Sequence, residues 1–265
     1  MTSHPTAVVH EATRIAEDVT IGPYAVIEDG VEIGSRSIVR ERSSIRSGTQ
    51  IGEGCFVESH VIVGGLPQDL GFNPATPSGI RIGNDVTIRE HVTVNRATAE
   101  GGYTEIGDGC FLMANSHVGH DCQVGKQVIL ANNVMLAGKV SIGDYTFIGG
   151  GAGVHQFCRI GESVMISGLS RVSQDVPPFC MLAERNELIG LNLVGLRRRG
   201  IERETIRELK RLYQLIFAVN GRPRVLAQAA LDDKQAKSPQ GLRFLEFMSA
   251  ESAKGVARPR AGAIK

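Results

Sequence analysis

An aliphatic residue returns at every sixth position through most of this chain, and that period excludes most folds at once. Val9, Ile15, Ile21, Ile27, Ile33, Val39, Ile45, Ile51, Val57 and Val63 make one unbroken series. It resumes at Ile82, Ile88 and Val94, then runs from Ile106 to Val172. Four residues after the aliphatic position stands a small or β-branched side chain, as at Ala25, Ser43, Cys55, Cys110, Cys122, Thr146 and Cys158. Gly often follows the aliphatic residue directly, as at Gly22, Gly52, Gly107, Gly119 and Gly143. A period of six fits neither a helix of 3.6 residues per turn nor a strand that alternates every second residue. It fits a parallel β-helix of hexapeptide repeats, in which each hexad is a short strand plus a corner. Three hexads then close one triangular coil of about eighteen residues, with the aliphatic side chains stacked inside. Glycine is expected to give the corners the backbone freedom of a tight bend.

The repeats end near Val176, where Pro177-Pro178 follows, so residues 1–184 read as the β-helix. Two interruptions, near 64–81 and 95–105, read as loops leaving a rigid solenoid, where binding groups tend to sit. Residues 185–265 read as a helical C-terminal domain. Ile206, Leu209, Leu212, Tyr213 and Ile216 fall at helical spacing between Ile201 and Val219. Shorter helices are expected from Val225 to Leu231 and from Leu242 to Met248, and the last dozen residues read as a disordered tail.

Composition narrows the function classes. The N-terminus carries no apolar leader, and no stretch of eighteen apolar residues could span a membrane. Of five cysteines, Cys55, Cys110, Cys122 and Cys158 occupy the small-residue slot, which makes them packing groups rather than bridges. A cytoplasmic location is expected on that ground. Charge is unevenly placed: residues 1–184 hold 12 Lys/Arg against 20 Asp/Glu, and residues 185–265 hold 17 against 8. A basic end on an acidic rod suits an anionic partner or a set of solvated helix faces. No motif points to nucleic acid.

The eighteen-residue coil also serves as a ruler. It stacks His120 under Gly138 and Gln156, Asp121 under Lys139, and Gly119 under Ala137 and His155, with His117 three residues away. A histidine there can act as a general base near neutral pH. Gly138 offers an unobstructed N–H to a developing oxyanion. Asp121 can orient the imidazole, and Lys139 can hold Asp121 by charge pairing or form only a cross-coil ion pair of small value. Asp69, in the first loop, can be a binding group or a turn cap. Zinc between His117, His120 and His155 is a further reading, disfavoured because the ruler sets His155 one column off His120; no metal and no cofactor are expected.

The stretch N-S-H-V-G-H-D-C-Q-V-G (115–125), followed by L-A-G-K-V (136–140), V-H-Q-F-C (154–158), Q-D-V-P-P (174–178) and G-L-N-L-V-G-L-R-R-R-G (190–200), resembles the bacterial acyl-carrier-protein–UDP-N-acetylglucosamine O-acyltransferases, which open lipid A synthesis. The resemblance covers nearly the whole chain. It implies a left-handed β-helix, a homotrimer with sites in clefts between subunits, and two partners, acyl carrier protein and a UDP-amino sugar. A 3-hydroxyacyl chain would pass from the carrier thioester to the sugar 3-position. His120 matches the general base, Asp121 its orienting partner and Gly138 the oxyanion glycine. Asp69 matches a sugar contact, and His117, His155 and Gln156 match other residues of the cleft. Asn192, Arg198 and Arg199 match nucleotide and phosphate contacts, and Gly168 falls where a larger side chain shortens the acyl pocket in some relatives.

Three positions depart from the pattern. Gly71 stands where the family usually has Lys, and Asn95 and Lys139 stand where well-known members have His. The resemblance implies that all three lie around the acceptor, so a 3-amino analogue of the sugar is an alternative acceptor, since an amine needs less assistance than a hydroxyl. An acetyl-coenzyme A acetyltransferase, a non-catalytic sugar-nucleotide-binding β-helix and a zinc lyase or hydratase are the other readings of such a chain.

Overall fold

The computed structural model describes residues 1–218 and 221–260. The chain winds as a left-handed parallel β-helix whose three faces are sheets of twelve, nine and eight strands among the described residues. The first face begins at Thr2–Ser3, the second at Val8–Val9 and the third at Arg14–Ile15. Where the period is unbroken the register is eighteen residues: Val118 pairs with Leu136, Leu136 with Val154 and Val154 with Val172. These side chains are buried inside the prism, each adding about 1.5–3 kcal/mol of apolar burial.

The small slot is also a clamp between coils. The Thr146 hydroxyl donates to Gly161 O at 2.9 Å and accepts from Val164 N at 3.2 Å. Ser37 does the same with Gly52 O and Cys55 N, and Ser43 with Glu58 O and Val61 N. The thiols of Cys55, Cys110 and Cys122 reach the carbonyls of Gly83, Gly125 and Ala137. A hydroxyl here satisfies two backbone groups that the corner would otherwise leave unpaired inside the prism.

The corner glycines act differently from the expectation. Positive φ falls mostly on other residues, including Asp121 (59°), Lys139 (60°) and Phe157 (67°) at successive coils of one corner. The glycines after the aliphatic position are needed for close approach instead. A Cβ on Gly107 would lie 2.7 Å from the carbonyl carbon of Gly125, and one on Gly119 would lie 2.7 Å from Leu136 O.

The chain leaves the prism between Gly65 and Gly79 and again between Asn95 and Tyr103, both times at the corner from the second face to the third. Arg96 ties the two excursions together, donating to Thr76 O and Pro74 O and lying over the Phe72 ring.

Beyond Pro177-Pro178 one more parallel strand, Cys180–Ala183, joins the first face beside Met165–Ile166. Glu187–Leu191 then pairs antiparallel with it. The helices follow: α1 Leu193–Arg198, α2 Arg203–Phe217, α3 Pro223–Asp232 and α4 Pro239–Ser249. α2 buries Ile206, Leu209, Leu212, Tyr213 and Ile216, the stripe read from the sequence. The segment expected to be a loose tail is ordered as far as Arg260, because Arg258–Pro259 adds to the first sheet beside Glu187–Leu188. The rest of that expected tail, 261–265, lies outside the described residues.

Candidate active site

Both excursions and His120 share one corner, and beside it lies a cleft of about 870 Å³. His117, His120, Gly138, His155 and Gln156 all line it, so the coil ruler brings these five together. Gln68 from the first excursion and Thr93, Asn95 and Met135 from the second face complete the near wall.

The centre of the cleft is a charge-assisted pair. His120 Nδ1 lies 2.7 Å from Asp121 Oδ2, with both side chains largely buried. A carboxylate can only accept, so Nδ1 carries a proton, and in the neutral imidazole Nε2 keeps its lone pair. Nε2 and Cε1 lie directly over Gly138, where a Cβ would collide with them. Glycine is therefore required at 138 for the imidazole to lie across the corner. The Gly138 N–H makes no hydrogen bond within the described chain, while its carbonyl accepts from Phe157 N.

Asp121 is held from the other side as well. Thr98 in the second excursion donates to it from both its amide (2.9 Å) and its hydroxyl (2.7 Å), and Asp121 N donates to Thr104 Oγ1 at 2.8 Å. Burial pushes the Asp121 carboxyl up, yet the bonds from His120 and Thr98 outweigh it and hold the pKa below the usual carboxylate value. Burial, followed by the neighbouring His120, lowers the pKa of His117, whose Nδ1 sits 2.7 Å from Thr93 Oγ1.

Thr98, Thr104 and Thr93 escaped the sequence reading. Thr98 occupies a small-residue slot of the hexad (four after Val94), but the chain has left the prism there, so the slot faces the site instead of the core.

The charge pairing expected between Lys139 and Asp121 is not formed. Lys139 extends over the Phe157 ring, with Nζ 5.7 Å from its centroid, and the carboxylate is taken by Thr98 and His120. Asp69 lies in the exposed first excursion at the same corner, where Oδ1 accepts from Gly71 N at 2.9 Å in a local turn. Asn95 is buried, donates to Leu66 O at 2.9 Å, and leaves its Oδ1 without a partner.

The remaining candidates sit elsewhere on the same chain. Gly168 is at the corner from the first face to the second. Asn192 caps α1, accepting from Gly195 N and donating to Ser163 O. Arg199 lies over the Tyr145 ring with Nη2 buried and unpartnered, and Arg198 is exposed at the end of α1. Ser163 and Tyr145 mark the third corner, so the implied site residues occupy all three corners of one prism.

Comparison with known proteins agrees along the whole length. Residues 175–257 match a family profile described as "Udp N-acetylglucosamine O-acyltransferase; Domain 2", and residues 12–47 and 103–138 match "Bacterial transferase hexapeptide (six repeats)". An acyl-[acyl-carrier-protein]–UDP-N-acetylglucosamine O-acyltransferase of Thermodesulfovibrio yellowstonii is 42% identical over 260 residues, spanning 96% of this chain and 98% of the relative. The enzyme so named in Rhizobium johnstonii is 41% identical over 267 residues, spanning 98% and 95%. The solved UDP-N-acetylglucosamine acyltransferase of Campylobacter jejuni superposes with a TM-score of 0.91 at 38% identity, covering 98% of this chain and 100% of that one.

Proposed function

This chain belongs to the acyl-[acyl-carrier-protein]–UDP-N-acetylglucosamine O-acyltransferase family, and on that premise we propose that it moves a 3-hydroxyacyl chain from a carrier thioester to the 3-position of UDP-N-acetylglucosamine, the opening step of lipid A synthesis. The observation that carries the reading is the His120–Asp121 pair lying over Gly138.

In this reading Nε2 of His120 takes the proton of the sugar 3-hydroxyl as its oxygen attacks the thioester carbonyl. The C–O bond forms, and the carbonyl oxygen becomes an oxyanion facing the free Gly138 N–H. Collapse breaks the C–S bond, and the imidazolium returns its proton to the departing thiolate. Asp121 fixes the tautomer and steadies the transient imidazolium without taking the proton itself.

The placement of the other residues supports a homotrimer. Gly168 and the Asn192, Arg198 and Arg199 group stand at corners away from His120, so a site that uses them all needs neighbouring copies. Unpaired, buried thiols suit a reducing cytoplasm, and no described helix is long and apolar enough to cross a membrane. Asn95 Oδ1, buried at the cleft without a partner, is an acceptor for either a hydroxyl or an amino group at the sugar 3-position, so the 3-amino analogue stands as a second acceptor.

The test is an endpoint assay read by mass spectrometry, with 3-hydroxyacyl-carrier-proteins of several chain lengths and both sugars. The expected result is an acylated UDP-sugar from the wild type that is absent with His120→Ala. Folded wild type that yields no product from any pair would overturn the reading.

A further inference from the structure

The cleft beside His120 is lined by three histidines and two arginines and by no carboxylate. Arg171 stands at the end of the column His117, Met135, Gly153, one residue per coil of the second face. Coils about 4.8 Å apart put it two coils, or about 10 Å, beyond Met135, which shares a coil with Gly138. Arg185 faces Arg171 across an isolated parallel bridge, and Arg171 N donates to Glu184 O to fix that approach.

Both guanidiniums are exposed and form no ion pair among the described residues. Asp175 is engaged by Arg159 and Glu187 by Arg260, and Glu184, exposed beside Arg185, does not line the cleft. Like charges held directly opposite one another repel unless a counter-charge sits between them. Two guanidiniums converging on an acid-free cleft offer paired N–H forks to a tetrahedral oxyanion.

We propose that Arg171 and Arg185 form a phosphate-binding subsite of the acyl-transfer cleft, taking a phosphate group carried by a substrate. This rests on the transferase reading, which supplies two such groups: the phosphodiester of the carrier's pantetheine arm and the diphosphate of the sugar nucleotide. It is separate from the Arg198 and Arg199 pair, which lies at another corner of the prism. The pair lies along the prism axis toward the helical end, so a phosphate held there aligns its substrate with the column that ends at His117.

The experiment is titration calorimetry on the wild type, on Arg171→Ala/Arg185→Ala and on Arg171→Lys/Arg185→Lys. The probes are UDP-N-acetylglucosamine, a 3-hydroxyacyl-phosphopantetheine and the same compound without its phosphate. The expected result is a loss of about tenfold or more in affinity for one phosphate-bearing probe in the alanine variant, partly recovered with lysine, and no loss for the phosphate-free probe. Which probe weakens names the source. The subsite is overturned if both phosphate probes bind the alanine variant as tightly as the wild type. It is equally overturned if the phosphate-free probe weakens as much, or if the wild type binds neither phosphate probe. Turnover by the wild type, measured alongside, separates the two claims: transfer with unchanged binding in the variant sinks only the subsite, and no transfer sinks the functional reading.

Discussion

Thr98 grips Asp121 through two atoms at once, its hydroxyl at 2.7 Å from Oδ2 and its amide at 2.9 Å from Oδ1. Oδ2 is the same oxygen that accepts the hydrogen bond from His120 Nδ1. The second excursion is thus wired to the imidazole through a single carboxylate.

Thr98→Val removes the hydroxyl and keeps the shape and the amide bond. One hydrogen bond to a charged group is about 1.5–3 kcal/mol, so kcat should fall by about tenfold or more. Thr98→Ser should restore most of it. A KM-against-kcat split distinguishes positioning from simple loosening: kcat should fall in the valine variant with KM little changed, and return in the serine one. Wild-type kinetics with valine would refute the role.

Gly138→Ala forces a Cβ into Nε2 and Cε1 of His120. The imidazole must swing away, and a misplacement near 1 Å is worth about a hundredfold in rate. We expect that loss in kcat/KM with the cooperative unfolding transition retained. An alanine enzyme of normal activity would mean that the imidazole does not work from this position.

Stability should carry a mark of His117. Its folded pKa lies below the ordinary value of 6.5, so the unfolded chain binds a proton that the folded chain refuses. Stability is therefore whole above that value and declines as pH falls from it toward the folded pKa. The Asp121 contribution, from a carboxyl held below 3.8, is lost only at still lower pH. Denaturation midpoints measured between neutral pH and pH 5 should slope downward for the wild type and less for His117→Gln. Equal slopes would contradict the assignment.

Thr146→Val should destabilise by about 1–3 kcal/mol although it keeps the volume, because Gly161 O and Val164 N are left unpaired inside the prism. Thr146→Ser should hold near the wild type in urea titrations. A valine variant as stable as the wild type would show that the hydroxyl clamp adds nothing.

The five thiols should be silent to alkylation in the native state. Burial pushes Cys110 and Cys158 up to about 11 and Cys122 to about 12, and raises Cys55 and Cys180 as well. Mass spectrometry after a short maleimide pulse should find no adduct until denaturant is added; a modified native cysteine would show an opening that the fold does not contain.

The period made the prism and the His120–Gly138 stack legible because an unbroken register from Ile106 to Val172 turns sequence distance directly into spatial distance. The same arithmetic set Lys139 next to Asp121 but could not say where either side chain points. The partner that claims the carboxylate is Thr98, delivered by a loop that has left the repeat, so no ruler reaches it. α2 showed itself through fifteen residues of amphipathic pattern, whereas α1, at six residues, is too short to display a period. Arg258–Pro259 joins the sheet in only two residues, through backbone bonds that composition does not encode.

That last strand bears on how copies of the molecule can meet. A stack of parallel coils is an open-ended template, and its first face would go on accepting strands from any chain with the same spacing. Here the ladder reverses direction at Glu187–Leu191 and then receives Arg258–Pro259, whose proline has no N–H to offer a newcomer. That end of the first face is thereby a poor template for a second copy to extend end to end into a fibre.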